Sequence, residues 1–207
     1  MLIPIDDLLR TLAEYAIPIS GVLHIGAHNC EEKPFYDHLG IQNVVWVEAM
    51  EEKVQQAKNK GIAQIYQAVI TDKDDEAVTF HISNNGESSS IFEFGVHTKY
   101  HPEVHYVGSR PLKTTTVDTL LKTNGIDASR LNFWNIDIQG AEYKALKGGL
   151  EAFQHVDILY IEVNKEEMYK GCELVDKVED LIAPFGFKKV LDVTGPHCGD
   201  VVYIRTV

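Results

Sequence analysis

Short apolar runs alternate with segments of helical periodicity along this chain, and several runs stop at a glycine or an acid. Gly21-Val22-Leu23-His24-Ile25 closes on Gly26, Val44-Val45-Trp46-Val47 on Glu48, and Phe133-Trp134-Asn135-Ile136 on Asp137. Runs this short fit strands that are covered on both faces. Between them, Glu31 to Leu39 reads as a helix stopped by Gly40, and Glu51 to Asn59 as a helix stopped by Gly61. Ile62 to Ile70 reads as a third strand. The alternation resumes with a helix over Ala141 to Phe153, a strand over Ile158 to Val163 and a helix over Glu173 to Phe185. Ahead of it all, Leu8, Leu9, Leu12, Ala13 and Ala16 mark a helix, capped by Asp6 or Asp7 and ended by Pro18. Such β-α-β alternation predicts a parallel sheet with helices on both faces.

The C-terminus breaks the pattern. Lys188 to Val193 and Val201 to Ile204 are both strand-like, with only a turn-rich stretch between them. That link is too short for a parallel crossover, so the two strands must pair antiparallel. The expected fold is therefore α/β and Rossmann-like: a mostly parallel seven-stranded sheet with an antiparallel C-terminal hairpin strand, as in class I methyltransferases. The 207 residues fit one domain, residues 1–207. Thr71 to Thr116 is irregular, with Ala77 to Ile82 as an extra edge strand and Asn84-Asn85-Gly86 as a turn. Residues 83–116 read as an insertion or lid on the acceptor side.

Composition excludes several classes. A net charge of −12 with no run of Lys or Arg argues against a nucleic-acid partner. Three cysteines without a CxxC spacing suggest neither a disulfide framework nor a zinc site. The first residues lack a basic region, and no apolar run approaches a membrane span, so a cytoplasmic protein without membrane contact is expected.

The strand tips carry the chemistry. In open α/β sheets the ligand crevice lies at the C-terminal ends of the strands, and Gly26 there lets a ligand approach the backbone. The dinucleotide pattern GxGxxG is absent, since positions 28 and 31 are His and Glu. This disfavours an NAD(P)-linked oxidoreductase, the main alternative. Glu48 stands where a carboxylate accepts hydrogen bonds from two ribose hydroxyls. Asp137 ends an apolar strand whose packing does not need it. It would face the cationic sulfonium and amino groups of S-adenosylmethionine. Glu162, inside an apolar strand, also needs a partner or a purpose. Glu142 is accounted for by the helix start beside it.

The sequence resembles the FkbM family of S-adenosylmethionine-dependent methyltransferases. The resemblance rests on His24-Ile-Gly-Ala-His28, Val44 to Glu48, Thr116-Val-Asp-Thr-Leu120, and Asn135-Ile-Asp-Ile-Gln-Gly-Ala-Glu142 leading into Lys144-Ala-Leu-Lys-Gly148. It implies cofactor contacts by His24, Gly26, Ala27, His28, Glu48, Ala49, Val69, Asp72, Ser89 and Asp137. Two positions depart from the family pattern: His24 replaces a usual acid, and a second glycine is missing near Cys30.

Methyl transfer is an in-line displacement in which the protein supplies alignment and electrostatics. The resemblance implies O-methylation of a sugar or another small hydroxylated metabolite. Asp137, His28 and the histidines from 97 to 105 are the candidate bases, with Asp137 and His28 placed first. A divalent cation held by Asp137, Glu162 and Asn164 is the less favoured version; no metal is expected. A binding protein that has lost activity on the same scaffold is the other alternative.

Overall fold

The computed structural model describes residues 3–206. Helix α1 (Ile5–Tyr15) precedes β1 (Val22–Ile25), α2 (Lys33–His38), β2 (Val44–Glu48), α3 (Glu51–Asn59) and β3 (Ile65–Gln67). Then come β4 (Val69–Ile70), β5 (Ala77–Ser83), α4 (His97–Tyr100), β6 (Tyr106–Thr115) and α5 (Val117–Thr123). The chain closes with β7 (Phe133–Ile136), α6 (Glu142–Lys147), β8 (Ile158–Asn164), α7 (Val175–Ile182), β9 (Phe187–Asp192) and β10 (Cys198–Arg205).

Seven strands form the main sheet in the order β3-β2-β1-β7-β8-β10-β9. Strands β3, β2, β1, β7 and β8 run parallel, and β10 pairs antiparallel with both β8 and β9. The expected fold and its terminal hairpin are therefore both present. The strand order sets β1 between β2 and β7, so the tips after Ile25, Val47 and Ile136 are neighbours.

Strand alternation divides the core in two. Leu23, Ile25, Trp134, Ile136 and Leu159 face one layer, packed with Leu146, Phe153 and Val178. Val22, Trp46, Phe133, Ile158 and Val202 face the other, packed with Leu8, Leu12 and Tyr36. Both faces of the central strands are buried, which is why their sequences read as continuous apolar runs.

Four local expectations are corrected. The run from Ile62 to Ile70 is broken: β3 stays in the main sheet, Ala68 N–H donates to the Glu48 carbonyl, and β4 leaves to pair with β6. The strand expected over Ala77 to Ile82 exists as β5, but it pairs with β6 in a separate three-stranded sheet. Strand β6 itself reads YVGSRPLKTT and is mostly exposed, so no apolar alternation announces it. Helix α1 starts after Pro4 with no side-chain cap, and Ala16 in the left-handed region ends it before Pro18. The helix expected over Ala141 to Phe153 stops at Lys147. Gly148 follows, where a Cβ would fall 2.1 Å from the Thr71 carbonyl oxygen. No helix among the described residues is long and apolar enough to cross a membrane.

Candidate active site

The site is built where β1, β2 and β7 end. Gly26 N–H and Ala27 N–H both donate to the Val47 carbonyl, and Asp137 N–H donates to that of Ile25. Gly26 has φ +94°, and a Cβ there would lie 1.7 Å from the Asp137 carbonyl oxygen. Only glycine allows the two tips to approach this closely.

Glu48, 8 % exposed, fastens the second tip to the first. Its Oε2 accepts the His28 N–H at 2.7 Å and its Oε1 the Met50 N–H at 2.8 Å. Burial raises its pKa against the lowering effect of these amides. The Ala49 N–H also acts on this carboxylate, and its remaining lone-pair capacity is open to a ligand hydroxyl.

His28 lies in the left-handed region at φ 43°. Its Nδ1 is 2.8 Å from Glu31 Oε1 and its Nε2 is 2.9 Å from Lys53 Nζ. The ammonium has only protons to offer, so Nε2 accepts and Nδ1–H donates. Both ring nitrogens are thus engaged, which leaves neither free to act as the base placed there from sequence.

His24 is buried on the other side of β1. Its Nδ1 is 3.0 Å from the Tyr36 hydroxyl, which also receives the Asn135 amide at 3.1 Å. Its ring stacks on Trp46 with centroids 4.7 Å apart. Burial lowers its pKa to about 4, so the ring is neutral near pH 7.

At the third tip, the Gln139 amide nitrogen donates to Asp137 Oδ1 at 2.6 Å and to Glu162 Oε2 at 3.1 Å. The Tyr169 hydroxyl donates to its carbonyl oxygen and so fixes which end faces the acids. Glu142 folds back to accept the Ile138 and Gly140 N–H groups. It therefore braces the loop beyond β7, a fuller role than the helix start alone implies. Burial first, and then neighbouring acids, raise the pKa of Asp137 to about 6 and of Glu142 to about 7, and push Glu162 well above the carboxylate range. Asp137, Glu142 and Glu162 each offer an oxygen within 4.8 Å of the others, a spacing that can hold a cation, and Asn164 lines the same cavity as Asp137 and Glu162.

Two cavities meet at these tips. The smaller has apolar walls from Met50, Val69, Phe80 and Ile91, with Glu48 and Ser89 among its polar atoms. The larger opens between His24, Glu32, His97, Glu162, Tyr169 and Asp200. Gly26, His28, Glu87, Asp137 and Gln139 line both. Of the residues implied by the resemblance, Gly26, His28, Glu48, Ala49, Val69, Ser89 and Asp137 lie together on the smaller cavity. Three do not. His24 lines only the larger cavity, and Ala27 is buried in the core beneath the turn. Asp72 points to α6, where it pairs with Lys147 at 3.1 Å and Lys144 at 3.5 Å.

Sequence reasoning missed Met50, Phe80, Tyr169 and Asp200. An apolar side chain that lines a cavity has the same period as one in the core, so Met50 and Phe80 carried no signal. Asp200 did carry one: like Glu162, it is an acid beside buried valines in a strand.

Residues 24–189 match the methyltransferase FkbM domain. The chain is 26 % identical over 129 residues to the 2-O-methyltransferase NoeI of Sinorhizobium fredii. That match covers 59 % of this chain and 52 % of NoeI, so the chain spans about half the length of the curated relative. Two solved structures are similar over nearly its whole length. The magnesium protoporphyrin IX methyltransferase ChlM of Synechocystis PCC 6803, with bound S-adenosylmethionine, is 10 % identical, with 98 % of this chain and 78 % of that one covered and a TM-score of 0.47. An S-adenosylmethionine-dependent methyltransferase of Clostridium acetobutylicum is 9 % identical, with coverage of 97 % and 89 % and a TM-score of 0.46.

Proposed function

The chain belongs to the FkbM family of S-adenosylmethionine-dependent methyltransferases, and from that premise we propose that it methylates a hydroxyl oxygen of a sugar or another small polyhydroxylated metabolite. The observation that carries this reading is the junction of the two cavities at Gly26, Asp137 and Gln139. One cavity is apolar with a buried carboxylate, which suits an adenosine. The other is wide and polar, which suits a hydroxylated acceptor. The likeness to a 2-O-methyltransferase supports oxygen as the target atom.

When bound, S-adenosylmethionine supplies a methyl carbon on a cationic sulfur and a neutral thioether leaving group. The residues of this chain do the rest. Met50, Val69 and Phe80 take the adenine between apolar surfaces, and Glu48 accepts the ribose hydroxyls. Asp137 takes the acceptor's proton as the new O–C bond forms. Its raised pKa makes it a stronger base than an ordinary carboxylate, yet ionised at neutral pH. Gln139 keeps its carboxylate oriented toward the junction. His28 is a positioning residue, because Glu31 and Lys53 hold its ring.

Within the segment 83–116, residues 85–104 supply the acceptor-side wall, whereas β6 pairs with β5 and lines neither cavity. Ser90 Oγ–H donates to the Gln139 carbonyl at 2.7 Å, and Gly95 packs against Glu167, which hold the wall to the β7 and β8 tips. A small molecule, and not a nucleic acid, is the acceptor that a chain of net charge −12 favours.

The test is calorimetry with S-adenosylhomocysteine, followed by transfer of a labelled methyl group to a panel of hydroxylated acceptors. Binding that weakens in Glu48→Ala, together with alkali-stable product on oxygen, is expected. Absence of binding to folded protein would sink the reading. Binding without turnover on any acceptor would reduce it to a cofactor-binding scaffold.

A further inference from the structure

The larger cavity has charge of one sign. Seven carboxylates line it, and no lysine or arginine does. The whole chain has 31 acids and 19 Lys and Arg, so a wall drawn at that ratio would include several cations. These acids are not confined to the rim. Asp137 and Glu162 are half-buried, and Asp200 is 3 % exposed. Glu162 and Asp200 stand directly opposite each other across the β8–β10 ladder; burial, and then Asp137, Glu142 and Asp200, raise the Glu162 pKa, so Glu162 keeps a proton until a cation takes its place. The Gln139 amide donates to Glu162 and the Tyr160 hydroxyl to Asp200, and both donors are neutral, so neither cancels a negative charge. Asp137 and Glu87 line both cavities and so also face the cofactor's own cation. Glu31, Glu32, Glu103, Glu162 and Asp200 line the larger cavity alone.

A second observation is independent of charge. His97, 5 % exposed, lines the same cavity, and its Nδ1 has no hydrogen-bond partner. Burial and the neighbouring His101 lower its pKa, so it is neutral and adds no positive charge at pH 7. A buried polar nitrogen without a partner is the kind of atom that a ligand hydroxyl satisfies.

We infer that the acceptor carries an ammonium group beside its hydroxyls: it is an amino sugar or a related amino alcohol, and not a uronate, a phosphate ester or another anion. The inference rests on reading the larger cavity as the acceptor site. The carboxylates select the cation, and His97 takes one hydroxyl.

The test is calorimetry on the full chain saturated with S-adenosylhomocysteine, in EDTA-containing buffer near neutral pH. Glucosamine, galactosamine and mannosamine are compared with their N-acetyl forms and with glucuronate. At least one amine should bind about tenfold or more tightly than its N-acetyl form, and glucuronate should not bind. Glu162→Gln should narrow that preference to about threefold or less while S-adenosylhomocysteine affinity holds; Asp200→Asn serves if that variant does not fold. Equal binding of amine and N-acetyl forms, tighter binding of glucuronate, no binding by any of the three amines, or an unchanged preference in the folded variant overturns the inference alone. Failure of S-adenosylhomocysteine itself to bind overturns both the inference and the methyltransferase reading beneath it.

Discussion

The Gln139 side-chain amide donates to Asp137 Oδ1 at 2.6 Å, and the same nitrogen reaches Glu162 Oε2 at 3.1 Å. One neutral donor thus separates two acids that would otherwise repel each other at the junction of the cavities. Its orientation is fixed from behind by Tyr169.

Asp137→Asn should abolish most activity and yet stabilise the protein at alkaline pH. The folded pKa of Asp137 is about 6, above its ordinary 3.8. The folded state therefore holds a proton that the unfolded state has lost between those values. The associated stability is present below about pH 4 and is lost as pH rises through 6. Removing the charge should raise stability at pH 8 by on the order of 1–3 kcal/mol and change little at pH 4. Thermal melts at the two pH values check this. In the wild type, the acid limb of kcat/KM should lie near pH 6, and Gln139→Leu should move it upward, because that variant loses the hydrogen bond favouring the ionised form.

Glu48→Ala should weaken S-adenosylhomocysteine binding by about tenfold or more, since it removes a ribose acceptor and frees two backbone N–H groups. Glu48→Gln, with one carbonyl oxygen left, should fall between the variant and the wild type. Calorimetry reads both, and unchanged affinity in Glu48→Ala would contradict the assignment.

His24 should limit stability in acid. Its folded pKa of about 4 lies below the ordinary 6.5, so its contribution is present above pH 6.5 and is lost as pH falls through 4. In His24→Gln, the loss of melting temperature between pH 6.5 and 4 should be smaller than in the wild type. An identical slope would show that His24 is not the group responsible.

Asp72→Ala should leave S-adenosylhomocysteine affinity within about twofold of the wild type. Asp72 sits in an ion pair with Lys147 and Lys144 on a partly exposed surface, where such pairs contribute about 0–1 kcal/mol. A tenfold loss of affinity would place Asp72 back in the cofactor cavity.

Most of the main sheet could be read from sequence because its strands are buried on both faces and so appear as unbroken apolar runs. Strand β5 was legible too, but its partner β6 was not, because β6 is mostly exposed and Gly108 and Pro111 interrupt any pattern in it. The same contrast holds at the site. Glu48 and Asp137 stood out as acids ending apolar strands. Gln139 and Tyr169 did not, because an amide and a phenol have many ordinary uses and their pairing spans thirty residues.

By itself, the sequence determined the layered α/β architecture, the antiparallel end of the sheet, the family and the three tips where a cofactor would bind. These follow from local periodicity and from what a strand end can hold. Only the tertiary structure decided which tips meet. The order β2-β1-β7-β8 brings Glu48, Gly26, Asp137 and Glu162 together although 136 positions separate the first glycine from the last acid. It also turned Asp72 toward α6 and gave both nitrogens of His28 to Glu31 and Lys53. The physical reason is that periodicity reports whether a side chain faces inward, whereas neighbours are chosen by how the crossovers order the strands.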